Sequence, residues 1–371
     1  MQAVAVHPAT REVALIDHPE PRLESPTQVK LRILEVGVCG TDREIAHFQY
    51  GTPPAGSEWL VIGHESLGEV VEVGPDVQGL APGDLVVPMV RRPCPHPTCL
   101  ACTAGRQDFC YTGDFTERGI KGRHGFMTEL VVDEARYMNP VPRALRDTAV
   151  LVEPLTIAEK ALIQLWQVQE RLPWACPVVP GQAPGHCHTA IVLGSGPVGL
   201  LGALALRAAD FDVHVFSRAA APNPASELLA QVGAHYVSAA DEPIAALAQR
   251  LGNVDLVYEA TGAAQIAFDT LAVMGANSVF IFTGVPGRRG PITIDADGLM
   301  RDLVLKNQMV FGTVNASREA FAAAIRDLGV FEHKWPGVVR RLVTAHWPVT
   351  AFRDLLLSDP AGIKNVVSLA A

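Results

Sequence analysis

The sequence predicts an α/β chain in two parts: a β-rich domain, then a doubly wound parallel sheet, with the C-terminal segment returning to the first. Short strand-like runs crowd the N-terminal third. From Thr189 strands and helices alternate, the pattern of a parallel sheet with crossover helices. At the first strand-to-helix turn of that alternation stands the triplet Gly194-x-Gly196-x-x-Gly199.

The early strands are QVKLRILEVGV, SLGEVVEVG, DLVVPMV and MTELVVD. Gly- and Pro-dense stretches such as VGPDVQGLAPGD and GIKGRHG separate them as loops. Thr156–Gln169 has helical apolar spacing, and a Pro/Gly-rich connector, WACPVVPGQAPGHCHTA, follows it. The alternation then runs TAIVLG, PVGLLGALALRAA, DVHVFS, PASELLAQVG, HYVSA, PIAALAQRLG, VDLVYEATG, AQIAFDTLAVM and NSVFIFTGV. The last of these reads as an edge strand of the sheet. Beyond about Val310 the alternation stops. The expected domains are 1–188, with a cysteine lobe at about 93–111, then 189–309, then a return over 310–371.

A chain of 371 residues is long enough to bury a large core without covalent staples. A net charge of −9 opposes a nucleic-acid footprint, which needs a basic face. No basic n-region precedes an apolar run at the N-terminus, and no long uncharged apolar stretch occurs. A cytoplasmic protein with no membrane partner is expected. In that compartment thiols stay reduced, so clustered cysteines point to metal or chemistry.

Four of the seven cysteines fall in Cys94-x4-Cys99-x2-Cys102-x7-Cys110. Zinc takes four thiolates in a tetrahedron, and close pairs let one turn deliver two sulfurs. A closed four-sulfur site is structural. Cys176 and Cys187 lie in the connector with nothing nearby to complete a ligand set, and are expected to be loop cysteines without chemistry.

The glycine triplet suits a dinucleotide. Its first glycine allows the tight turn, the second lets the backbone approach the pyrophosphate, and the third lets helix and strand pack closely. The next strand ends in Ser217 and Arg218 with no acid. Arg218 can pair with a ribose 2′-phosphate and Ser217 can hydrogen-bond it, so NADP is expected over NAD.

Cys39, His64, Glu65 and Glu153 are unremarkable singly. Together they offer a thiolate, an imidazole and one or two carboxylates, a set that suits zinc with an open position. Such an ion acts as a Lewis acid on a bound oxygen, which complements a hydride acceptor.

These motifs carry a resemblance. GVCGTD, GHESLGEVVEVG, PGDLVV, the cysteine lobe, VEPL and GSGPVG resemble the zinc-dependent medium-chain dehydrogenase/reductase superfamily nearly end to end. VVPMVRRPCP, ERGIKGRHGFMTEL, EPLTIAEKAL, YEATG and GTVNAS resemble the archaeal-type glucose dehydrogenases within it. The resemblance implies a GroES-like catalytic domain, a Rossmann domain and an active site in the cleft between them. It makes Cys39, His64 and Glu153 ligands of a catalytic zinc, with Glu65 binding directly or through water. It makes Thr41 the start of a proton relay, and Glu117 and Asn315 contacts to sugar hydroxyls, with Glu153 also facing substrate. On the dinucleotide it implies contacts from Gly194, Ser195, Gly196, Pro197, Val198, Gly199, Ser217, Arg218, Thr261 and Asn315.

Two departures stand out. The first gap in the cysteine lobe is four residues where relatives often have two, so the loop bulges at Pro95–Thr98. Arg218 is followed by Ala219, where NADP members often carry a second arginine, which leaves NAD use open. The expectation is an enzyme with two zinc ions per chain that oxidises C1 of an aldose, glucose foremost, to a lactone with NADP. It would form a homodimer or homotetramer. The alternatives are a dehydrogenase of another sugar, polyol or aminocyclitol, and a non-catalytic nucleotide-binding protein on the same scaffold.

Overall fold

The strand Gln28–Val38 organises the first part of the molecule. Its apolar residues alternate, and Val29, Leu31 and Ile33 are fully buried. Glu65–Val73 pairs antiparallel with it along its length, Leu130–Glu134 with its N-terminal half and Lys364–Ser368 with its C-terminal end. Leu85–Pro88, Met138–Val141 and Val343–Pro348 complete a seven-stranded sheet. Two three-stranded sheets accompany it: Gln2–His7 with Glu12–Asp17 and Leu60–Val61, and Arg91–Arg92 with Thr116–Arg118 and Gly122–Arg123. This is a computed structural model, and it describes residues 1–287, 290–358 and 360–369.

The chain forms two compact units. One holds Met1–Thr156, Asn315–Gly329 and Val339–Ala371; the other holds Ile157–Val314 and Val330–Val338. In the second unit six parallel strands lie in the spatial order third, second, first, fourth, fifth, sixth. They are Thr189–Leu193, Asp212–Ser217, His235–Ser238, Leu256–Glu259, Val279–Phe282 and Met309–Gly312. Helices Pro197–Ala208, Pro224–Gln231, Ile244–Leu251, Ala264–Leu271 and Ala296–Leu305 connect them. Ile191, Leu193, Phe216, Leu247, Val257 and Phe280 form part of one buried cluster, because strands covered on both faces must be apolar on both.

Two expectations are corrected here. The run NSVFIFTGV is an interior strand: Val279–Phe282 pairs with Leu256–Glu259 on one side and Met309–Gly312 on the other. The edge on that side is Met309–Gly312, a strand of four residues, and His235–Ser238 forms the opposite edge. Cys176 and Cys187 are joined in a disulfide. The connector folds back on itself, and Trp174 stacks on His188 with ring centroids 3.9 Å apart, bringing the two cysteine Cα atoms to 5.7 Å. No helix among the described residues is long and apolar enough to cross a membrane.

Candidate active site and metal centres

Sheet register brings distant residues together. Gly37 pairs with Glu65, and Val38 pairs with Asn365. The C-terminal end of one strand thereby meets the N-terminal starts of two others, and Cys39, Glu65 and Lys364 gather at one end of the sheet. His64 immediately precedes Glu65. One ligand atom from each of Cys39, His64 and Glu65 lies within 4.8 Å of the others, and Cys39 Sγ is 3.3 Å from His64 Nε2.

Cys39 caps the short helix Gly40–Ala46, and its backbone N–H donates to Asp42 Oδ2 at 3.0 Å. The other oxygen of that carboxylate, Oδ1, lies 3.2 Å from His64 Nδ1. One fully buried aspartate thus fixes both the turn that carries the thiol and the ring that carries the imidazole nitrogen. Glu65 forms a buried ion pair with Lys364, whose Nζ also donates to Val38 O at 3.3 Å.

The electrostatics favour a cation. Burial pushes the Cys39 thiol up. Burial pulls His64 down, but Cys39 and Asp42 outweigh it and hold the imidazole well above its ordinary value. Glu153 lies outside the set of three close donors yet within electrostatic reach of them. Burial, reinforced by Glu65 and opposed by His64 and Lys364, raises it to about 7. A thiolate, an imidazole and a carboxylate at this spacing fit zinc. Thr41 sits in the helix after Cys39, and the half-exposed phenol of Tyr50 lies within electrostatic reach of Thr41 and Glu44.

Glu117 and Asn315, 198 residues apart, are in contact: Asn315 Nδ2 donates to Glu117 Oε1 at 3.1 Å. Asn315 has a left-handed backbone, φ 59°, which suits asparagine better than most residues. The four lobe cysteines, Cys94, Cys99, Cys102 and Cys110, likewise converge within 4.8 Å. Burial pushes Cys102 up to about 12, while hydrogen bonding at Thr112 overcomes burial and holds Cys110 down at about 6. Sulfurs this close compete for one negative charge unless a cation joins them, so this set also fits zinc.

In the second unit Gly194 has φ +105°, and a side chain at Gly199 would meet the Gly194 carbonyl oxygen at 2.2 Å. The third glycine is therefore required for the helix to rest on the turn. Gly196 caps the helix that begins at Pro197 and continues through Val198. Ser195 Oγ and Ser217 Oγ share a hydrogen bond of 2.8 Å, joining the loop to the end of the second strand; Arg218 beside it is exposed. Thr261 packs against Gly194, and its N–H and hydroxyl both donate to buried Glu259. These features fit a dinucleotide pyrophosphate at the helix N-terminus.

Three contributors escaped the sequence reading: Asp42, Tyr50 and Lys364. Asp42 had a local signal, an acid three residues into a capped helix. The other two had none.

Residues 25–143 match the alcohol dehydrogenase GroES-like domain, and residues 146–369 match the glucose dehydrogenase C-terminus. This pairing of domains, with a thiolate–imidazole–carboxylate set at the sheet end, is that of a zinc-dependent medium-chain dehydrogenase. Glucose 1-dehydrogenase of Methanocella arvoryzae is 37% identical over the whole of both chains. That of Thermoproteus tenax is 36% identical over 100% of this chain and 99% of its own. The structure of Haloferax mediterranei glucose dehydrogenase in complex with NADP, Zn and gluconolactone superposes with a TM-score of 0.88 at 31% identity, covering 100% of each chain. The chain belongs to the glucose dehydrogenase family.

Proposed function

We propose that this chain oxidises the C1 hydroxyl of an aldose, glucose foremost, with NADP as the preferred hydride acceptor and NAD as a second, and releases a lactone. The convergence of Cys39, His64 and Glu65 at one sheet end carries the reading, in a chain whose relatives are named for glucose. Zinc held by Cys39, His64 and Glu65, with Glu153 in reach, supplies Lewis acidity toward the substrate oxygen. NADP on the Gly194–Gly199 turn, met by Ser195, Pro197, Val198, Ser217, Arg218, Thr261 and Asn315, supplies the carbon that takes the hydride. Thr41 receives the hydroxyl proton and passes it toward Tyr50 and Glu44. Glu117 and Asn315 hold sugar hydroxyls, and Asp42 and Lys364 hold His64 and Glu65 in place. Cys94, Cys99, Cys102 and Cys110 hold a second, structural zinc. The reading extends to a homo-oligomer, supported by the open edge at Met309–Gly312, and to a cytoplasmic location, where nicotinamide dinucleotides are kept.

The test is a panel of aldoses, polyols and cyclitols read by NADPH absorbance, with His64→Ala beside the parent. The parent should oxidise glucose, and His64→Ala should lose one zinc and nearly all turnover yet keep NADP binding. Unchanged turnover in that variant refutes the site. Preference for a cyclitol or open-chain polyol refutes the substrate.

A further inference from the structure

Arg91 and Glu117 face each other as a cross-strand pair between Arg91–Arg92 and Thr116–Arg118. Both side chains are nearly buried, and the guanidinium lies over Phe115 with its carbon 3.7 Å from the ring centroid. The contact is lopsided. Arg91 Nε and Nη2 both reach the same oxygen, Glu117 Oε1, at 2.9 Å, and Asn315 Nδ2 reaches it at 3.1 Å. Arginine–carboxylate forks frequently use both oxygens. Here three N–H groups converge on Oε1, and Oε2 accepts no hydrogen bond from the described residues.

The neighbouring backbone brings the turn after Glu117 against the segment that carries His64. A side chain at Gly119 would lie 2.5 Å from the carbonyl oxygen of Gly63, the residue before His64, so the turn after Glu117 rests directly on the segment carrying the imidazole. Arg91 is also held from the other direction. Its Nη1 donates to Asp108 O at 3.4 Å, and Gln107 Nε2 donates to Arg91 O at 3.5 Å, both partners in the cysteine lobe just before Cys110.

We propose that Arg91 is a positioning residue for substrate: it occupies one oxygen of Glu117 so that the other is presented to a single sugar hydroxyl, and it braces that carboxylate against the cysteine lobe. This rests on the reading of Glu117 as a sugar contact. Lysine cannot replace Arg91 fully, because a point charge on a flexible stem reproduces neither the paired Nε and Nη2 contacts with Oε1 nor the guanidinium contact with Phe115. A carboxylate fixed in this way discriminates sharply against a sugar lacking the matching hydroxyl, because its own acceptor is then left unpaired.

The experiment measures kinetics of the zinc-loaded protein at saturating NADP for Arg91→Met, Arg91→Lys, Glu117→Gln and the Arg91→Met/Glu117→Gln pair, with glucose and its monodeoxy analogues. Arg91→Met should raise the glucose KM about tenfold or more, change kcat less than about threefold, and leave the NADP KM unchanged; those are the losses of a charge-assisted hydrogen bond made in ground and transition states alike. Discrimination against one deoxy position should fall while the others hold. In the Glu117→Gln background the further substitution should change the glucose KM less than about twofold, since Arg91 acts through Glu117. Additive effects, or an unchanged KM in Arg91→Met, overturn the proposal. An unchanged KM in Glu117→Gln instead overturns the sugar contact itself. If Arg91→Met does not fold, Arg91→Lys decides: an intermediate KM with selectively weakened discrimination supports positioning, and parental kinetics refute it.

Discussion

Asp42 Oδ1 stands 3.2 Å from His64 Nδ1, while the same carboxylate takes the Cys39 backbone N–H through Oδ2. Two metal donors on separate segments therefore share one anchor. Asp42→Asn keeps the shape and removes the charge. Affinity for the catalytic zinc should fall about 10- to 100-fold. Chelator competition with a zinc indicator reads this directly, and parental release kinetics would show that the carboxylate is only a helix cap.

Lys364 is fully buried against Glu65. Removing the cation leaves a carboxylate in the interior without compensation once zinc is stripped. Lys364→Met should lower the stability of the zinc-stripped protein by about 3–5 kcal/mol in urea unfolding. Adding Glu65→Gln should recover part of that loss, because the stranded charge is then gone. No recovery would mean that the lysine stem, through packing, is what matters.

Asp133 is buried between Arg92 and Arg118; Arg118 Nη2 approaches it at 2.7 Å. Burial raises its carboxyl, but the two guanidinium groups outweigh that and hold it far below the usual carboxylate range. The unfolded chain therefore binds this proton more readily than the folded one. The stabilisation is fully present above a pH of about 4 and is lost progressively as pH falls toward the depressed folded value. Urea unfolding from neutrality down to about pH 2.5 should show Asp133→Asn less stable at pH 7 by about 3 kcal/mol or more, with a flatter acid limb. An acid limb of parental slope in the variant contradicts the assignment.

Arg218 is exposed beside Ser217, at the end of the strand that follows the glycine turn. Arg218→Ala should lower the ratio of kcat/KM for NADP over NAD about 10- to 100-fold, the value of a charge-assisted contact to the 2′-phosphate. An unchanged ratio removes Arg218 from cofactor selection.

Local chemistry was legible in the sequence. The glycine triplet and the four-cysteine spacing each carry their geometry within a short stretch, and the strand–helix alternation announced the parallel sheet. Partners that meet only through sheet register were not legible. Lys364 reaches Glu65 across 299 residues, and nothing about a lysine at the start of a C-terminal strand announces a buried ion pair. Arg91 drew no reading of its own in the sequence, because its partner Glu117 across the strands depends on pairing the sequence does not spell out. The link between Cys176 and Cys187 was missed for a different reason. Compartment logic argued for free thiols, whereas the Trp174–His188 stack folds the connector tightly enough to bring the sulfurs together.

That covalent link closes a small ring, its two ends only 11 positions apart, so what it can stiffen is confined to the connector itself. Through Trp174 and His188 the connector packs on Phe211, just ahead of the second sheet strand, whereas the zinc-type donor sets lie in the other unit. Transfer from oxidising to reducing surroundings should therefore be felt as a local slackening around Trp174, with the working parts of the enzyme indifferent to the change.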